Sequence, residues 1–319
     1  RWINGSVFNM EIFIALFKTT RPRQWLKNFA LMAALVFSGL LYAPGMLWQT
    51  ILAMMAFTLL SSGVYIFNDL VDIKADRLHP FKKKRPLAAG DLPIPIAITA
   101  AISFVFISLV WMQVLSYFLF LTGLTYLALQ IAYTGYLKRI PIIDVLMVAS
   151  GYVLRVYGGA FAIEAHMDVW FLLTVISASL FLAVGKRRGE RTLLEGSGIT
   201  ANVRTTLKRY TDDLLNLYTT MFATSTWLTY ALFTFNQPRI IPRGRVLTLM
   251  AELPRTLLSE KLLMITVPLV VYGVMRYLQL IYEKNEGESP ERILLSDKPL
   301  MTTIAIWGVL TIGLLYFVG

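Results

Sequence analysis

An apolar run over 48–68 ends in Asn68-Asp69-Leu70-Val71-Asp72-Ile73-Lys74-Ala75-Asp76-Arg77-Leu78-His79-Pro80-Phe81-Lys82-Lys83-Lys84-Arg85-Pro86. About 20 apolar residues is the length of a helix that crosses a bilayer. The stretch therefore sets three carboxylates, then a bank of cations, at the mouth of a membrane span. If the helix continues, Asp69, Asp72 and Asp76 fall at i, i+3 and i+7 on one face, with Asn68 at i−4 from Asp72. Like charges one turn apart repel by roughly a few tenths of a kcal/mol, and a shared cation removes that cost. Mg²⁺ suits the place, because it takes oxygen ligands and is commonly shared between one or two carboxylates and a substrate's phosphates. Arg77, His79, Lys82 and Arg85 are then placed to hold the rest of a polyanion. The plainer alternative is a solvated loop of mixed charge. Three acids on one helical face at the end of a span argue against it.

Composition agrees with a chain built around such spans. The 319 residues are 56% hydrophobic and 15% charged, with a mean hydropathy of +0.62; soluble domains carry about 25% charged residues. Cysteine is absent, which excludes disulfides and thiolate metal sites. The two histidines, His79 and His166, are too few and too far apart for a zinc site. The net charge of +11 sits mostly in short loops between apolar runs, as membrane topology requires, and does not indicate nucleic acid.

Nine spans of about the right length are expected, near 25–44, 48–68, 94–113, 115–135, 141–163, 168–185, 213–235, 260–282 and 300–318. The reading is an all-α, nine-helix membrane bundle, with 1–19 as an N-terminal cytoplasmic segment and 20–319 as a single intramembrane domain. Arg1 to Phe8 read as an extraneous leader before a start at Met10, and no cleavable signal peptide is evident. Cations before the first span (Lys18, Arg21, Arg23, Lys27), after the second (Lys74 to Arg85), after the fourth (Lys138, Arg139), after the sixth (Lys186 to Arg209) and after the eighth (Lys284, Arg292, Lys298) alternate with nearly bare connections. Positive loops face the cytoplasm, so the N-terminus, the acidic motif and a substrate cavity belong there, in a cell (inner or plasma) membrane. The connection 236–261 breaks the pattern with Arg239, Arg243, Arg245 and Arg255, and an interfacial helix is expected within it around 245–258.

A second charged cluster, Gly185-Lys186-Arg187-Arg188-Gly189-Glu190-Arg191, follows the sixth span. Arg188 and Arg191 read as topology-setting charges; Lys186, Arg187 and Glu190 read equally well as substrate and metal groups. Asp212 and Asp213 fit the start of the seventh span. Arg155 lies inside the fifth span, in Gly151-Tyr152-Val153-Leu154-Arg155-Val156-Tyr157-Gly158-Gly159. A charge at that depth must face the protein interior, against substrate or a polar neighbour, while Gly151, Gly158 and Gly159 allow close helix packing. Tyr133 and Tyr136 are by default interfacial-belt residues near Lys138.

The pattern Asn68-Asp69-x-x-Asp72-x-x-x-Asp76 resembles the first aspartate-rich motif of the UbiA superfamily, intramembrane enzymes that ionise a pyrophosphate with Mg²⁺ inside a helical bundle. With His79-Pro80-x-Lys82-x-x-Arg85-Pro86, Arg21-Pro22-Arg23-Gln24-Trp25-x-Lys27-Asn28 and Gly185-Lys186-Arg187, the chain is similar to the branch that moves 5-phosphoribose from phosphoribosyl pyrophosphate to a decaprenyl-type polyprenyl phosphate. The resemblance runs from about Thr20 to the last span. It implies catalytic and metal roles for Asn68, Asp69, Asp72 and Asp76, a catalytic Lys186, and Glu190 as a further metal ligand. Substrate binding would fall to Arg21, Lys27, Asn28, Arg77, His79, Lys82, Arg85, Tyr133, Lys138, Arg155 and Arg187. Aromatic prenyltransferases of the superfamily carry a second acid pair, D-x-x-x-D, where this chain has Lys186-Arg187-Arg188-Gly189-Glu190. One acid among extra cations favours a donor with an additional anionic group. The alternatives are a prenyltransferase acting on an aromatic or lipid acceptor and, outside enzymes, a transporter. Arg155 is nearly alone within the spans, which speaks against the transporter. A homo-oligomer is compatible with all three.

The absence of cysteine makes the topology directly measurable. A cysteine at Lys83 should react with an impermeant maleimide only from the cytoplasm, and one at His166 only from outside. Cytoplasmic labelling at His166 would reverse the orientation.

Overall fold

The computed structural model describes residues 2–78, 82–197, 209–238, 261–283 and 290–318, and every regular element among them is helical. His79 and the interfacial helix expected at 245–258 lie outside these residues. The chain forms two compact units, one of residues 1–35, 42–140 and 154–165, the other of 36–41, 141–153 and 166–319.

The first unit opens with α1 (Trp2–Thr19), then a 3-10 segment over Pro22–Ala30 running into α2 (Leu31–Phe37). After α3 (Met46–Val71) come the short α4 (Ile73–Leu78) and α5 (Pro86–Ala89). Two long helices follow, α6 (Ile94–Leu115) and α7 (Tyr117–Gly135). The C-terminal half of α8 (Ile143–Ala162) completes the unit. Its centre is α3, an apolar helix carrying Thr50, Thr58, Ser61 and Ser62. Their hydroxyls donate to carbonyls three or four residues back, at 2.7–3.1 Å. Local bonding of this kind lets polar side chains sit in an apolar environment. Ala15 of α1 joins Ile66 of α3, Leu87 of α5, Leu92, and Ala97 and Ala101 of α6 in one buried cluster.

The second unit holds the first half of α8, then α9 (Val169–Ser197) and α10 (Asp212–Asn236). A 3-10 turn over Leu262–Thr266 continues into α11 (Val267–Glu283). It ends with α12 (Pro290–Ser296), α13 (Lys298–Gly313) and a closing π turn over Leu314–Val318. Asp168 accepts the Trp170 and Phe171 amides at 2.8 and 3.2 Å and so starts α9. Asp297 caps α13 through the Leu300 amide and takes both arms of the Arg276 guanidinium at 2.7 and 3.0 Å. Phe181, Ala223, Tyr277, Leu280, Ile281, Ile293 and Leu300 form its main core cluster.

Among the described residues, seven helices are long and apolar enough to cross a membrane, and these coincide with seven of the nine expected spans. The other two differ in kind. The expected 25–44 span is the 3-10 segment and the seven-residue α2, which stops before Gly39 at φ +78°. The expected 213–235 span is α10, helical as anticipated, but so rich in Thr and Ser that its hydropathy is low.

Gly159 is where α8 touches α2. A Cβ there would lie 2.1 Å from the Leu31 carbonyl oxygen, a backbone atom that cannot swing aside. Gly159→Ala should destabilise the chain by about 1–3 kcal/mol through overpacking, read as a fall in unfolding temperature in detergent. Gly308→Ala, with open space around its Cα, should not.

Candidate active site

The acidic motif sits where α3 ends. The helix closes at Val71, Asp72 takes φ −92° and ψ 5°, and α4 resumes at Ile73. Asp72 N–H still reaches the Asn68 carbonyl (3.0 Å), and Asp76 N–H reaches that of Asp72 (2.8 Å). The expected uninterrupted helix is thus bent at its middle acid, because Asp72 leaves the α region while i→i+4 bonding bridges the break. The break divides the carboxylates: Asp69 and Asp76 are buried, and the Asp72 side chain is 37% exposed.

Each of the three acids meets a cation. Arg85 Nη1 lies 3.0 Å from Asp69 Oδ1 and 2.7 Å from Asp76 Oδ2. Arg21 also pairs with Asp69 Oδ1 and lies over the Tyr65 ring, 5.2 Å from its centroid. Lys138 Nζ is 3.3 Å from Asp72 Oδ1, and Thr134 donates to Asn68 Oδ1 at 2.7 Å. Arg21 adopts φ 55° and ψ 66°, a left-handed conformation costing on the order of 1–3 kcal/mol for a residue with a Cβ. That strain is stored at the point where the chain turns Arg21 onto Asp69.

Two buried carboxylates therefore converge on one point, the Arg85 nitrogen. Oxygen-only ligands at such a point fit a hard divalent cation. Among the described residues no three His, Cys, Asp or Glu side chains form a ready metal cage. Mg²⁺ does not need one, since it commonly keeps water and phosphate in its coordination shell.

Of the other expected residues, Lys27, Lys82 and Tyr133 are half-buried in the same unit. Arg77 turns away and donates to the Ala88 carbonyl at 3.2 Å. Asn28 and Arg155 meet each other deeper in the unit, 2.7 Å apart.

Lys186, Arg187 and Glu190 belong to the second unit, on α9. Lys186 is half-buried. Arg187 is 1% exposed, with Nε 2.6 Å from Asp144 Oδ2 and Nη1 2.5 Å from Glu190 Oε2. Both groups are thus engaged with protein partners, Glu190 holding an arginine in the place where a metal ligand was expected. Tyr210 donates to Asp144 Oδ1 (2.7 Å) and accepts the Ile142 amide (2.5 Å). Burial, and then the hydrogen bond to Asp144, push the Tyr210 phenol well above its ordinary pKa, so its proton stays in place. Ile142 sits at φ 70°, an unfavourable angle for a β-branched residue, and Tyr210 takes its N–H there. Arg188 and Arg191 both reach Asp212, at 3.0 and 2.9 Å, and so tie α9 to the first turn of α10.

The sequence profile of the UbiA prenyltransferase family matches residues 29–296. The chain belongs to that family. A decaprenyl-phosphate phosphoribosyltransferase of Mycolicibacterium smegmatis is 34% identical over 302 residues, 93% of this chain and 91% of that protein. One from Corynebacterium glutamicum is 32% identical over 301 residues, 92% of this chain and 84% of the other. In fold, a UbiA homolog from Archaeoglobus fulgidus bound to GPP and Mg²⁺ superposes with a TM-score of 0.67 at 18% identity, over 94% of this chain and 99% of that one.

Asp144, Tyr210 and Thr134 escaped the sequence reading of this UbiA chain. Asp144 stands at the head of the fifth span, where an acid carries little signal by itself. Tyr210 and Thr134 have no distinguishing pattern at all. Tyr210→Phe would leave the Ile142 amide without its acceptor and Asp144 Oδ1 without the phenol's hydrogen bond, Arg187 still holding Oδ2, and should cost about 1–3 kcal/mol. Tyr282→Phe, an exposed hydroxyl on Asn216, should change stability by less than about 0.5 kcal/mol. Denaturant unfolding in micelles compares the two.

Proposed function

We propose that this UbiA protein transfers 5-phosphoribose from phosphoribosyl pyrophosphate to a decaprenyl-type polyprenyl phosphate, releasing pyrophosphate, for synthesis of a cell-envelope glycolipid precursor. The observation that carries the reading is the near full-length match to relatives of that name. The charge balance of the site supports it. Arg21, Arg85 and Lys138 crowd the acids, and a prenyl tail would offer such cations nothing beyond its pyrophosphate, whereas the 5-phosphate of the ribose is a further dianion.

In the reaction the C1–O bond to pyrophosphate breaks and an acceptor phosphate oxygen bonds to C1. Positive charge develops on the ribose carbon and negative charge on the leaving group. Mg²⁺, held by Asn68, Asp69, Asp72 and Asp76, would supply charge neutralisation for the leaving pyrophosphate. Arg85 and Arg21, a quarter to a third exposed at the rim of the buried acids, would turn part of their charge to phosphate oxygens, with Lys82 and Lys138 beside them. A phosphate acceptor is already ionised near pH 7, so no side chain has to remove a proton. Lys186, on α9, is given a catalytic role by the resemblance of the Gly185-Lys186-Arg187 motif to the family. In this reading Glu190 holds Arg187.

The loop charges support nine passes of a cell membrane, with α10 and the 22–37 segment as the two less apolar ones, and a donor site on the cytoplasmic face. A prenyltransferase with a prenyl pyrophosphate donor is the second reading, favoured by the same acidic motif.

Transfer of label from phosphoribosyl pyrophosphate to a lipid extract tests the choice. Activity should vanish in excess EDTA and in Asp72→Asn. Arg85→Ala should weaken donor binding by about 2–5 kcal/mol with acceptor affinity nearly intact, while exposed Lys83→Ala does little. Consumption of geranyl or longer prenyl pyrophosphate in place of phosphoribosyl pyrophosphate would overturn the donor assignment.

A further inference from the structure

Arg155 is 4% exposed in a helix apolar enough to cross the membrane. Its Nε donates to Asn28 Oδ1 at 2.7 Å and its Nη2 to Tyr126 Oη at 3.2 Å. The guanidinium also lies 5.0 Å from the Tyr126 ring centroid and 5.8 Å from that of Phe57. Asn28 is fully buried and passes the connection on, its amide donating to Thr58 Oγ1 at 2.9 Å and Ser61 Oγ at 3.4 Å. Further up the same 3-10 segment, Trp25 Nε1 reaches Ser62 Oγ at 3.2 Å. Arg21 then covers Tyr65 and pairs with Asp69. Positions 58, 61, 62, 65 and 69 form one stripe of α3, so the segment is laid along that helix side chain by side chain. A turn beyond Arg155, Gly159 brings the α8 backbone against Leu31, just past the end of the segment.

A 3-10 segment has weaker internal hydrogen bonding than an α-helix, and this one begins at a strained residue. It needs outside fastening to hold Arg21 in register, and Asn28, gripped from α8 and α3 at once, is the deepest fastening it has. We infer that Arg155 is a positioning residue that acts through Asn28 to hold the Pro22–Ala30 segment along α3, and so sets Arg21 on Asp69. The inference rests on the reading of the acidic cluster as a pyrophosphate site. It assigns Arg155 no contact with either substrate.

A double-mutant cycle on the full chain in nanodiscs tests it, with inorganic pyrophosphate plus Mg²⁺ as the titrant in calorimetry. Pyrophosphate is common to both donor classes, so the result does not depend on which one is used. Arg21→Gln should weaken binding roughly ten-fold, the scale of one charge-assisted contact. Arg155→Lys, which keeps the charge but loses the fork, should weaken it by a similar or smaller factor. The double variant should bind within about two-fold of Arg21→Gln, because coupled residues are non-additive. Losses that multiply, or wild-type binding by Arg155→Lys, overturn the inference alone. If Arg155→Lys does not fold, Asn28→Ser takes its place in the cycle with the same two outcomes. No pyrophosphate binding by the unaltered chain would overturn the site reading itself, and the inference with it.

Discussion

Two carboxylates buried at the end of an apolar helix are the constraint on which the first unit depends. Desolvating a carboxylate costs several kcal/mol unless a partner compensates it. Asp69 and Asp76 meet that demand with a single guanidinium, Arg85, which the turn after Lys82–Lys84 returns to the helix end. Arg21 arrives from the opposite direction in sequence, through a strained backbone, as a second partner of Asp69. Asp72 needs less, being partly exposed, and has Lys138. The acids can therefore be kept close together in the folded chain, and the same cations suit the phosphates of a polyanionic donor.

The second unit solves a related problem with the signs reversed. Arg187 is the largest fully buried side chain described, and two carboxylates, Asp144 and Glu190, converge on it. Removing one partner of a buried pair leaves an uncompensated charge and is strongly destabilising. Tyr210 completes the group by binding Asp144 and relieving the strained Ile142 amide together. The cluster thus ties the head of α8 to the middle of α9 and to the approach to α10.

Small and hydroxylated residues make these polar groups affordable in apolar helices. Gly159 lets backbone meet backbone at Leu31, while Thr58, Ser61 and Ser62 satisfy themselves along α3 and still accept the Pro22–Ala30 segment. In a medium without water, side chains that can bond in two directions connect helices at little desolvation cost.

The sequence by itself determined the helical membrane class, the position of seven apolar spans, the acidic motif at the end of one of them, and the family. The first three follow from composition, run length and spacing, which are local quantities; the family follows from the resemblance of the motifs. It also marked Arg155 as inward-facing and Gly158 and Gly159 as packing residues, because charge and bulk in a bilayer leave few choices. Tertiary structure alone decided which cation serves which acid: Arg85 and Arg21 are separated by 64 positions in the chain, yet share one oxygen of Asp69. It bent the motif at Asp72, turned Arg77 onto a carbonyl, and recruited Asp144 and Tyr210, which carry no local signal. Such pairings depend on how helices far apart in sequence pack, and residue spacing along one segment holds no record of that.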